Sequence, residues 1–586
     1  MTRPATRSGK VDLLEALHEQ WKALWPDAID AWSSFTKLSP PRFCLSEEDE
    51  QREGLSGSFA MIRLVDHAVV VSLRQVAERG LDDYGLEILA HEIGHHVYTP
   101  GDLRDNARLL ARTRAGLPGK ERWAPMVSNL YTDLLINDRL QRNVGLDMAG
   151  VYKALKEDGC GGLWAFYMHT YELLWGLPAG SLFNAEIDDQ LRSDAILASR
   201  LIRSYAGDWI GGAGRFAVLC LEYLIKEDPS SEGALLPWMD TEQAGAGDEI
   251  PDGLAAMDGD EAAGATHPAL DDASDEQVEA TEVPGDTSAA EKIGGKKNVY
   301  REPKDYVDLM KSLRVNVDSK DLIIRYYREL ARPHVPPFPS RALRPTTEPL
   351  IEGMTRWELG APLSAIDWMQ TAMYSPLIIP GVTTMQRVMG ESQGDSRSSR
   401  PADLYLGVDC SGSMTNPAYG ISYPVIAGAV ITLSALRAGA SVKTVLSGEP
   451  GSFMAMPDYS PSEKENLGTL TSYLGTGYAF GLERLDLEFA EGLERERPVH
   501  ILLVTDADIF HMIGEYRDGW EVMERALSLA GGGGSLVLEI PSFHHSRYDD
   551  RIQRLEAMGW NTYLVRNQQE LVDFARQFSR KRYSIE

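Results

Sequence analysis

The sequence predicts a multidomain chain with a mainly helical N-terminal domain containing a small β-hairpin or sheet, and a C-terminal α/β domain with a doubly wound, mainly parallel sheet. Helical periodicity dominates up to about residue 230, and after residue 400 short apolar strands alternate with helical patterns. Between them the composition changes twice. We therefore predict a helical domain at 1–235, an acidic disordered linker at 236–298, a helical and Pro-rich connecting region at 299–400, and the α/β domain at 401–586.

Charge limits the partners that this chain can bind. The formal net charge is -29, and more than half of it comes from 16 Asp or Glu residues between Asp240 and Glu291, a stretch without Lys or Arg. Nucleic acids and anionic lipid surfaces are bound by basic faces. We therefore expect no nucleic acid partner.

Cysteine usage and hydropathy indicate the compartment. The 4 cysteines are widely scattered without a C-x-x-C pair, which fits a reducing environment. The first 25 residues have an amphipathic helical pattern rather than a signal peptide, and no stretch approaches about 18 consecutive apolar residues. The sequence predicts a cytoplasmic protein with no membrane association.

The N-terminal domain contains the stretch "ILAHEIGHHVYTPGD" at 88–102, directly after a predicted hairpin formed by "FAMIRLV" and "AVVVSL". His91 and His95 are four residues apart, so a helix presents both imidazoles on one face, with Glu92 beside them as a base for water. Gly94 is unfavourable inside a helix, which indicates a close packing contact there. The pattern predicts a zinc site.

A catalytic zinc ion needs a third protein ligand. The metzincin pattern does not supply it, because Tyr98 and Gly101 occupy its Gly and His positions, and Asp102 is one candidate just beyond. The second candidate is in "MVSNLYTDLLINDRL", where Asn129, Asp133 and Asn137 recur every four residues on one helix face. That helix can deliver Asp133 to the metal while Asn129 and Asn137 orient the surrounding groups.

HEIGHH followed by N-x-x-x-D-x-x-I-N resembles the zincin-like metallopeptidase domains that are fused to von Willebrand factor A (VWA) domains in bacteria, over about a third of the chain. The resemblance implies zinc held by His91, His95 and Asp133, with Glu92 as the catalytic residue. Tyr98 and Tyr131 are candidates for stabilising an oxyanion, or else simply packed tyrosines. The alternatives for the motif are a His-rich helix without metal and a purely structural zinc site.

The C-terminal domain contains "LYLGVDCSGSMTN", with oxygen-bearing side chains at the end of a predicted strand. Two further loops, in "YLGTGYAFGLERL" and "ILLVTDADIF", add a threonine and an aspartate at places where doubly wound sheets bind ligands. Mg²⁺ prefers such ligands in octahedral geometry. The candidate magnesium-site residues are Asp409, Ser411, Ser413, Thr476 and Asp506.

These three loops resemble the metal-ion-dependent adhesion site of VWA domains. The resemblance implies that Ser411, Ser413 and Thr476 coordinate Mg²⁺ (or Mn²⁺ or Ca²⁺) directly, while Asp409 and Asp506 act through water. An acidic residue of a partner then completes the shell. The alternative is a strand followed by a Ser/Gly turn without metal.

The segment "EGMTRWELGAPLSAIDWMQTAMYSPLIIPGVTT" resembles sequences that precede VWA domains in bacterial proteins paired with MoxR-type AAA+ ATPases. It implies a separately encoded ATPase partner, because this chain has no nucleotide-binding motif. The alternative is that Trp357 and Trp368 are core aromatics.

Two functions follow as hypotheses. The first is a zinc-dependent metallopeptidase acting on a protein or peptide substrate, whose VWA domain binds a partner or substrate and which works with an AAA+ ATPase. The second is a non-catalytic VWA adaptor for a MoxR-type ATPase, with a structural or degenerate HExxH domain. A third reading makes the acidic linker a regulatory segment that occupies a site in cis or is itself cleaved.

Overall fold

A computed structural model describes most of the chain, which divides into two compact units. The described residues are 7–55, 58–155, 161–226, 241, 247–270, 299–336, 347–393, 401–412, 414–449, 451–477, 481–491, 497–540 and 548–583. The N-terminal unit comprises Met1–Leu330 with Thr415–Ser422, and the C-terminal unit comprises Ala331–Met414 with Tyr423–Glu586. These units differ from the four predicted segments, because the helices after residue 300 belong to the N-terminal unit.

The N-terminal unit is mainly helical, as predicted. Its helices are α1 (Arg7–Asp30), α2 (Glu47–Glu53), α3 (Leu73–Glu78), α4 (Gly85–Val97), α5 (Leu103–Ala115), α6 (Ala124–Arg139), α7 (Met148–Ala154), α8 (Gly162–Trp175), α9 (Asp189–Ser204), α10 (Trp209–Lys226), α11 (Gly259–Ala263), α12 (Pro303–Ser312) and α13 (Ser319–Ala331). Its strands are β1 (Arg42–Cys44), β2 (Ala60–Arg63), β3 (Ala68–Ser72), β4 (Ala256–Met257) and β5 (Val299–Tyr300).

The predicted hairpin before α4 is confirmed. Strands β2 and β3 pair antiparallel, and β1 joins β3 in parallel, which leaves β2 at one edge of the sheet order β1-β3-β2. The sheet and α1 cover the apolar side of α4, where Leu89 and Ile93 are fully buried together with Trp21 of α1. Apolar residues at helical spacing therefore fix which face of α4 points away from this core.

Part of the predicted disordered linker is ordered. Residues 247–270 pair with α5 and α13 through Arg112–Asp258 and Arg325–Asp252, and Leu254 and Ala255 are each only 2% exposed. Arg112 of α5 pairs with Asp258, and Arg301 pairs with Glu261. The stretch lacks cations of its own, so arginines from elsewhere in the sequence supply them. The rest of the predicted linker lies outside the described residues, apart from Thr241.

The C-terminal unit alternates strands and helices. Its strands are β6 (Thr347–Arg356), β7 (Met385–Gln393), β8 (Asp403–Asp409), β9 (Val442–Ser447), β10 (Phe453–Ala455), β11 (Val499–Asp506), β12 (Gly531–Glu539) and β13 (Trp560–Val565). Its helices are α14 (Trp368–Tyr374), α15 (Tyr423–Arg437), α16 (Glu463–Leu470), α17 (Glu483–Glu488), α18 (Ile509–Glu515), α19 (Gly519–Ala530), α20 (Asp549–Ala557) and α21 (Gln568–Tyr583).

Six strands form one mixed sheet in the order β10-β9-β8-β11-β12-β13, and all neighbours are parallel except β10 with β9. Tyr405, Ile501 and Leu503 face a core that includes residues of α17 to α20. His500 points to the other face, where its ring lies 5.5 Å from that of Phe578 in α21. The predicted doubly wound, mainly parallel sheet is therefore confirmed as an architecture.

The strand order reverses beside β8. The chain passes from β8 to β9 on one side and then returns to β11 on the other side, so the carboxyl ends of β8 and β11 flank a topological switch point. Crevices of this kind are where open α/β sheets bind ligands. Asp409 and Asp506 are the last residues of these two strands.

Helix α15 is the most uniformly buried helix of this unit among the described residues. Eleven consecutive residues, 425–435, are buried between the sheet and its neighbouring helices. Its 15 residues span about 22 Å, shorter than the roughly 30 Å hydrocarbon core of a bilayer. No helix within the described ranges is both long and apolar enough to cross a membrane.

The connecting region contains a long hairpin that the sequence did not predict. Strands β6 and β7 pair antiparallel from Thr347↔Gln393 to Arg356↔Met385. Between them, residues 357–384 form a tip (the arm tip). Trp357 is buried, whereas Trp368 is 54% exposed and is not a core residue. Nine further large apolar side chains of the arm tip are exposed: Leu359, Leu363, Met369, Met373, Tyr374, Leu377, Ile378, Ile379 and Val382.

Candidate metal centres

Helix α4 presents the HEIGHH residues beside a pocket. His95 is fully buried, Glu92 is 1% exposed, and the His91 side chain retains 12% of its exposure. The rings of His91 and His95 lie edge to face with their centroids 4.9 Å apart. Their four-residue spacing therefore brings both imidazoles together, as the sequence predicts.

Helix α6 crosses α4 at the predicted close contact. A Cβ atom on Gly94 would lie 2.6 Å from Cγ2 of Ile136 and 2.7 Å from Cζ2 of Trp32, so only glycine fits without displacement. Asp133 and Asn137 lie within one turn of Ile136 on α6. This contact therefore places both residues next to the histidines.

Asp133 converges with the two histidines. Its Oδ1 atom lies 3.5 Å from Nε2 of His95 and 3.8 Å from Nε2 of His91, and one ligand atom from each residue lies within 4.8 Å of the others. Ligands about 2.0–2.1 Å from one tetrahedral zinc ion lie about 3.3–3.4 Å apart. The donor set and its spacing fit zinc with small adjustments, and Asp133 rather than Asp102 joins the histidines.

Each candidate ligand is held from behind by a hydrogen bond. Nδ1 of His91 lies 2.7 Å from Oδ1 of Asn137, and Nδ1 of His95 lies 3.1 Å from the carbonyl oxygen of Thr99. Nδ2 of Asn129 donates to Oδ2 of Asp133 at 2.9 Å. Such bonds fix the histidine tautomers and turn the opposite atoms toward the metal position. Asn129 and Asn137 thus lie where the sequence predicts orienting residues.

A cluster of buried tyrosines, which the sequence analysis did not predict, supports Asn137. Nδ2 of Asn137 donates to the hydroxyls of Tyr152 at 3.0 Å and Tyr171 at 2.8 Å, and Tyr171 contacts the hydroxyl of Tyr167 at 3.0 Å. Burial raises the pKa of Tyr167 and of Tyr171 well above the usual range. These hydroxyls therefore stay protonated. The only available signal was the four-residue spacing of Tyr167 and Tyr171 on α8.

The pocket in front of the triad encloses about 460 Å³ of empty space, part of it open to solvent. Its polar groups include His91, Glu92 and Asp133, and its walls are largely apolar. The other lining residues are Ser58, Phe59, Ala60, Ile88, Asn137, Met148, Val151, Tyr152 and Leu155.

Several other residues singled out in this region have structural contacts. Asp102 caps α5 by accepting a hydrogen bond from the backbone of Asp105 at 2.8 Å. The hydroxyl of Tyr98 donates to the carbonyl of Ala206, and Tyr131 is fully buried away from the pocket lining. The tyrosine that lines the pocket is Tyr152 instead.

In the C-terminal unit, Asp409 is 3% exposed at the end of β8. The backbone of Ser411 donates to its Oδ1 at 2.9 Å, and the hydroxyl of Thr505 donates to its Oδ2 at 3.0 Å. Burial raises the pKa of Asp409 to about 7, and the nearby charge of Asp506 adds to the increase. A cation at this position would favour the charged form.

The structure also brings the predicted loop that contains Thr476 to the carboxyl end of β8. Ser411 and Thr476 form an isolated parallel bridge, and the backbone of Gly412 donates to the carbonyl of Thr476. A Cβ atom on Gly448 would lie 1.7 Å from Oγ1 of Thr476, so glycine is required there. Ser413 lies outside the described residues. Asp409 and Asp506 end neighbouring parallel strands and Ser411 bridges Thr476, so four of the five predicted residues lie at one edge of the sheet.

Comparison with known proteins adds no family assignment. No protein-family model matches the chain, and no curated protein gives a significant match.

The contact between Asn137 and His91 generates a prediction. Asn137→Ala should lower zinc affinity about 10- to 100-fold, because His91 then loses the bond that orients its ring. Chelator competition on the full chain measures the affinity. Asn466→Ala is the matched control, since it removes a buried asparagine from the other unit. Equal zinc affinities for wild type and Asn137→Ala would contradict an orienting role.

Proposed function

We propose that the N-terminal unit is a zinc-dependent metallopeptidase. The observation that carries this proposal is the convergence of His91, His95 and Asp133, each held from behind by its own hydrogen bond. Two imidazoles and one carboxylate are a ligand set of catalytic zinc sites, which keep one position for water or substrate. The pocket that opens onto these residues leaves room for that position.

When bound, zinc supplies Lewis acidity toward water and a carbonyl oxygen. Glu92 lines the same pocket, so its carboxylate is placed to take a proton from the attacking water and to deliver it to the leaving amine. We assign Tyr152 the oxyanion-stabilising role that the sequence suggested for Tyr98 or Tyr131. Its hydroxyl is held by Asn137 at the pocket wall.

The substrate class is a protein or peptide in an extended conformation. Ser58, Phe59 and Ala60, at the start of β2, line the pocket, and β2 has only β3 as a neighbour in its sheet among the described residues. An extended peptide can pair with such an edge through main-chain hydrogen bonds. A peptide paired with β2 in this way would have a peptide bond beside Glu92.

Replacing Glu92 tests the peptidase proposal. Glu92→Gln should reduce cleavage of unfolded protein substrates by at least about 100-fold, because the amide cannot accept the proton. Zinc content, measured by mass spectrometry, should remain at the wild-type level. Glu87→Gln makes the same change on the same helix and should leave cleavage unchanged. A Glu92→Gln protein that cleaves as well as the wild type would rule out this mechanism.

For the C-terminal unit we propose a Mg²⁺-dependent partner-binding site of the VWA type, with Asp409, Ser411, Ser413, Thr476 and Asp506 around the ion. Its support is the meeting of the β8 end, the β11 end and the 475–477 loop at the topological switch point. An acidic residue of a partner would then occupy the remaining coordination position.

The magnesium proposal predicts a change in thermal stability. With zinc present throughout, Mg²⁺ should raise the unfolding temperature of the wild-type chain, because binding to the native state stabilises it. Asp409→Ala should abolish this increase. Asp508→Ala alters an exposed carboxylate two residues beyond β11 and should retain it. An equal response to Mg²⁺ in the Asp409→Ala protein would place the ion elsewhere.

The arm tip favours the second candidate function, an adaptor for a MoxR-type AAA+ ATPase. Its exposed Trp, Tyr, Met, Leu and Ile side chains are the types enriched in protein interfaces, and it carries few charges. We propose that this surface contacts the ATPase. A peptidase and an adaptor role are compatible, since the arm and the zinc pocket belong to different units.

The adaptor proposal is tested with a MoxR-type ATPase of the same organism as the probe. Trp368→Asp should weaken its binding, measured by surface plasmon resonance, at least about tenfold, because a charge enters an apolar contact. Phe35→Asp changes an exposed aromatic residue in the N-terminal unit and serves as control. Unchanged binding of the Trp368→Asp protein would exclude the arm tip as the contact.

A further inference from the structure

The hydrogen bonds around Asp133 extend to a residue far along the chain. The backbone N–H of Thr241 donates to Oδ1 of Asn129 at 2.9 Å, and its hydroxyl donates to the same oxygen at 2.5 Å. The other end of that amide, Nδ2, donates to Oδ2 of Asp133 at 2.9 Å. Asn129 and Asp133 are 1% and 4% exposed. A buried relay therefore connects Thr241 to a candidate zinc ligand.

These hydrogen bonds form in only one of the two orientations of the Asn129 amide. An asparagine amide has an acceptor end and a donor end. As placed, the acceptor end receives two donors from Thr241 and the donor end meets a carboxylate. Rotating the amide by half a turn would set its oxygen against the carboxylate of Asp133 and its NH₂ group against the backbone N–H of Thr241, and the hydroxyl of Thr241 would have to accept instead of donate. Thr241 thus selects the orientation that stabilises a charged Asp133.

We propose that Thr241 is a positioning residue for the zinc ligand Asp133, acting through the amide of Asn129; this inference rests on the proposed zinc centre. Removing the hydroxyl leaves the backbone N–H as the only donor of Thr241 to Asn129. Losing groups that orient metal ligands typically weakens metal binding about 10- to 100-fold. Thr241 acts one residue further out, so Thr241→Val should weaken zinc binding about 3- to 10-fold.

The contact between Thr241 and Asn129 offers a way to regulate zinc affinity, because Thr241 is distant from Asn129 in the sequence. Thr241 belongs to the acidic segment predicted at 236–298, and 112 residues separate it from Asn129. On this proposal the zinc affinity of the centre depends on Thr241 staying in contact with Asn129. A partner or a cleavage that displaced Thr241 would lower the affinity without touching any metal ligand.

The first measurement compares zinc affinities of the full chain by chelator competition. Thr241→Val should bind zinc about 3- to 10-fold more weakly than wild type, whereas Thr241→Ser keeps the hydroxyl and should bind within about twofold of it. Thr113→Val is the matched control, since its buried hydroxyl donates only to the carbonyl of Leu109 among the described contacts. A Thr241→Val protein with wild-type affinity overturns the proposal.

A double-mutant cycle separates positioning from a general structural effect. In an Asn129→Ala background, Thr241→Val should cause no further loss of zinc affinity, because the group through which it acts is gone. The same fold-loss in both backgrounds would show that Thr241 acts by another route and overturns the inference. The visible spectrum of the Co²⁺-substituted chain adds a readout of ligand geometry. It should change in Thr241→Val and return to that of wild type in Thr241→Ser.

The failure of this inference is distinguishable from failure of the zinc centre. If wild type takes up zinc that His91→Ala loses, while Thr241→Val matches wild type, only the role of Thr241 is wrong. If wild type shows no His91-dependent zinc, both proposals fall together.

Discussion

The close contact between α4 and α6 at Gly94 is the constraint on which the candidate zinc centre depends. Ile136 and Trp32 fill the space where a side chain at position 94 would be. Trp32 also donates from Nε1 to the carbonyl of Ala90 at 2.6 Å, which ties the end of α1 to α4. Glycine inside a helix costs about 1 kcal/mol relative to alanine. The gain is an approach close enough for Asp133 to meet two imidazoles of α4.

That approach brings the ligands together, but hydrogen bonds from several elements decide which atoms face the metal position. Asn137 holds His91, the carbonyl of Thr99 holds His95, and Asn129 holds Asp133. The tyrosines of α7 and α8 hold Asn137 in turn. Each such bond contributes about 1 kcal/mol in a typical protein. Together they satisfy the ligand atoms that face away from the metal position and leave little rotational freedom to the ligands.

Local patterns allowed much of this structure to be predicted from the sequence. The four-residue spacings of His91 with His95 and of Asn129, Asp133 and Asn137 specified which side chains share a helix face. Alternating strands and helices likewise predicted a parallel sheet, and the candidate magnesium site lies at the carboxyl ends of its strands β8 and β11. Each of these patterns lies within one helix or one strand, where periodicity is a direct consequence of backbone geometry.

The features that were missed depend on partners distant in sequence. Tyr152 and Tyr171 join the zinc centre through Asn137, and no motif connects them to it. The strands of the arm are separated by 28 residues without a tight-turn signal, so their pairing left no local trace. The linker was predicted to be disordered because its composition is too polar to bury a core, yet residues 247–270 are held in place by pairing with Arg112 and Arg301.

The number of protein ligands distinguishes a catalytic zinc centre from a structural one. Structural zinc sites fill all four positions with protein ligands and are closed to solvent. Here the protein brings one carboxylate and two imidazoles together, and a pocket opens on the remaining side. A structural site would place a fourth protein ligand on that open side, so three converging ligands beside a pocket support the proposed centre that activates water.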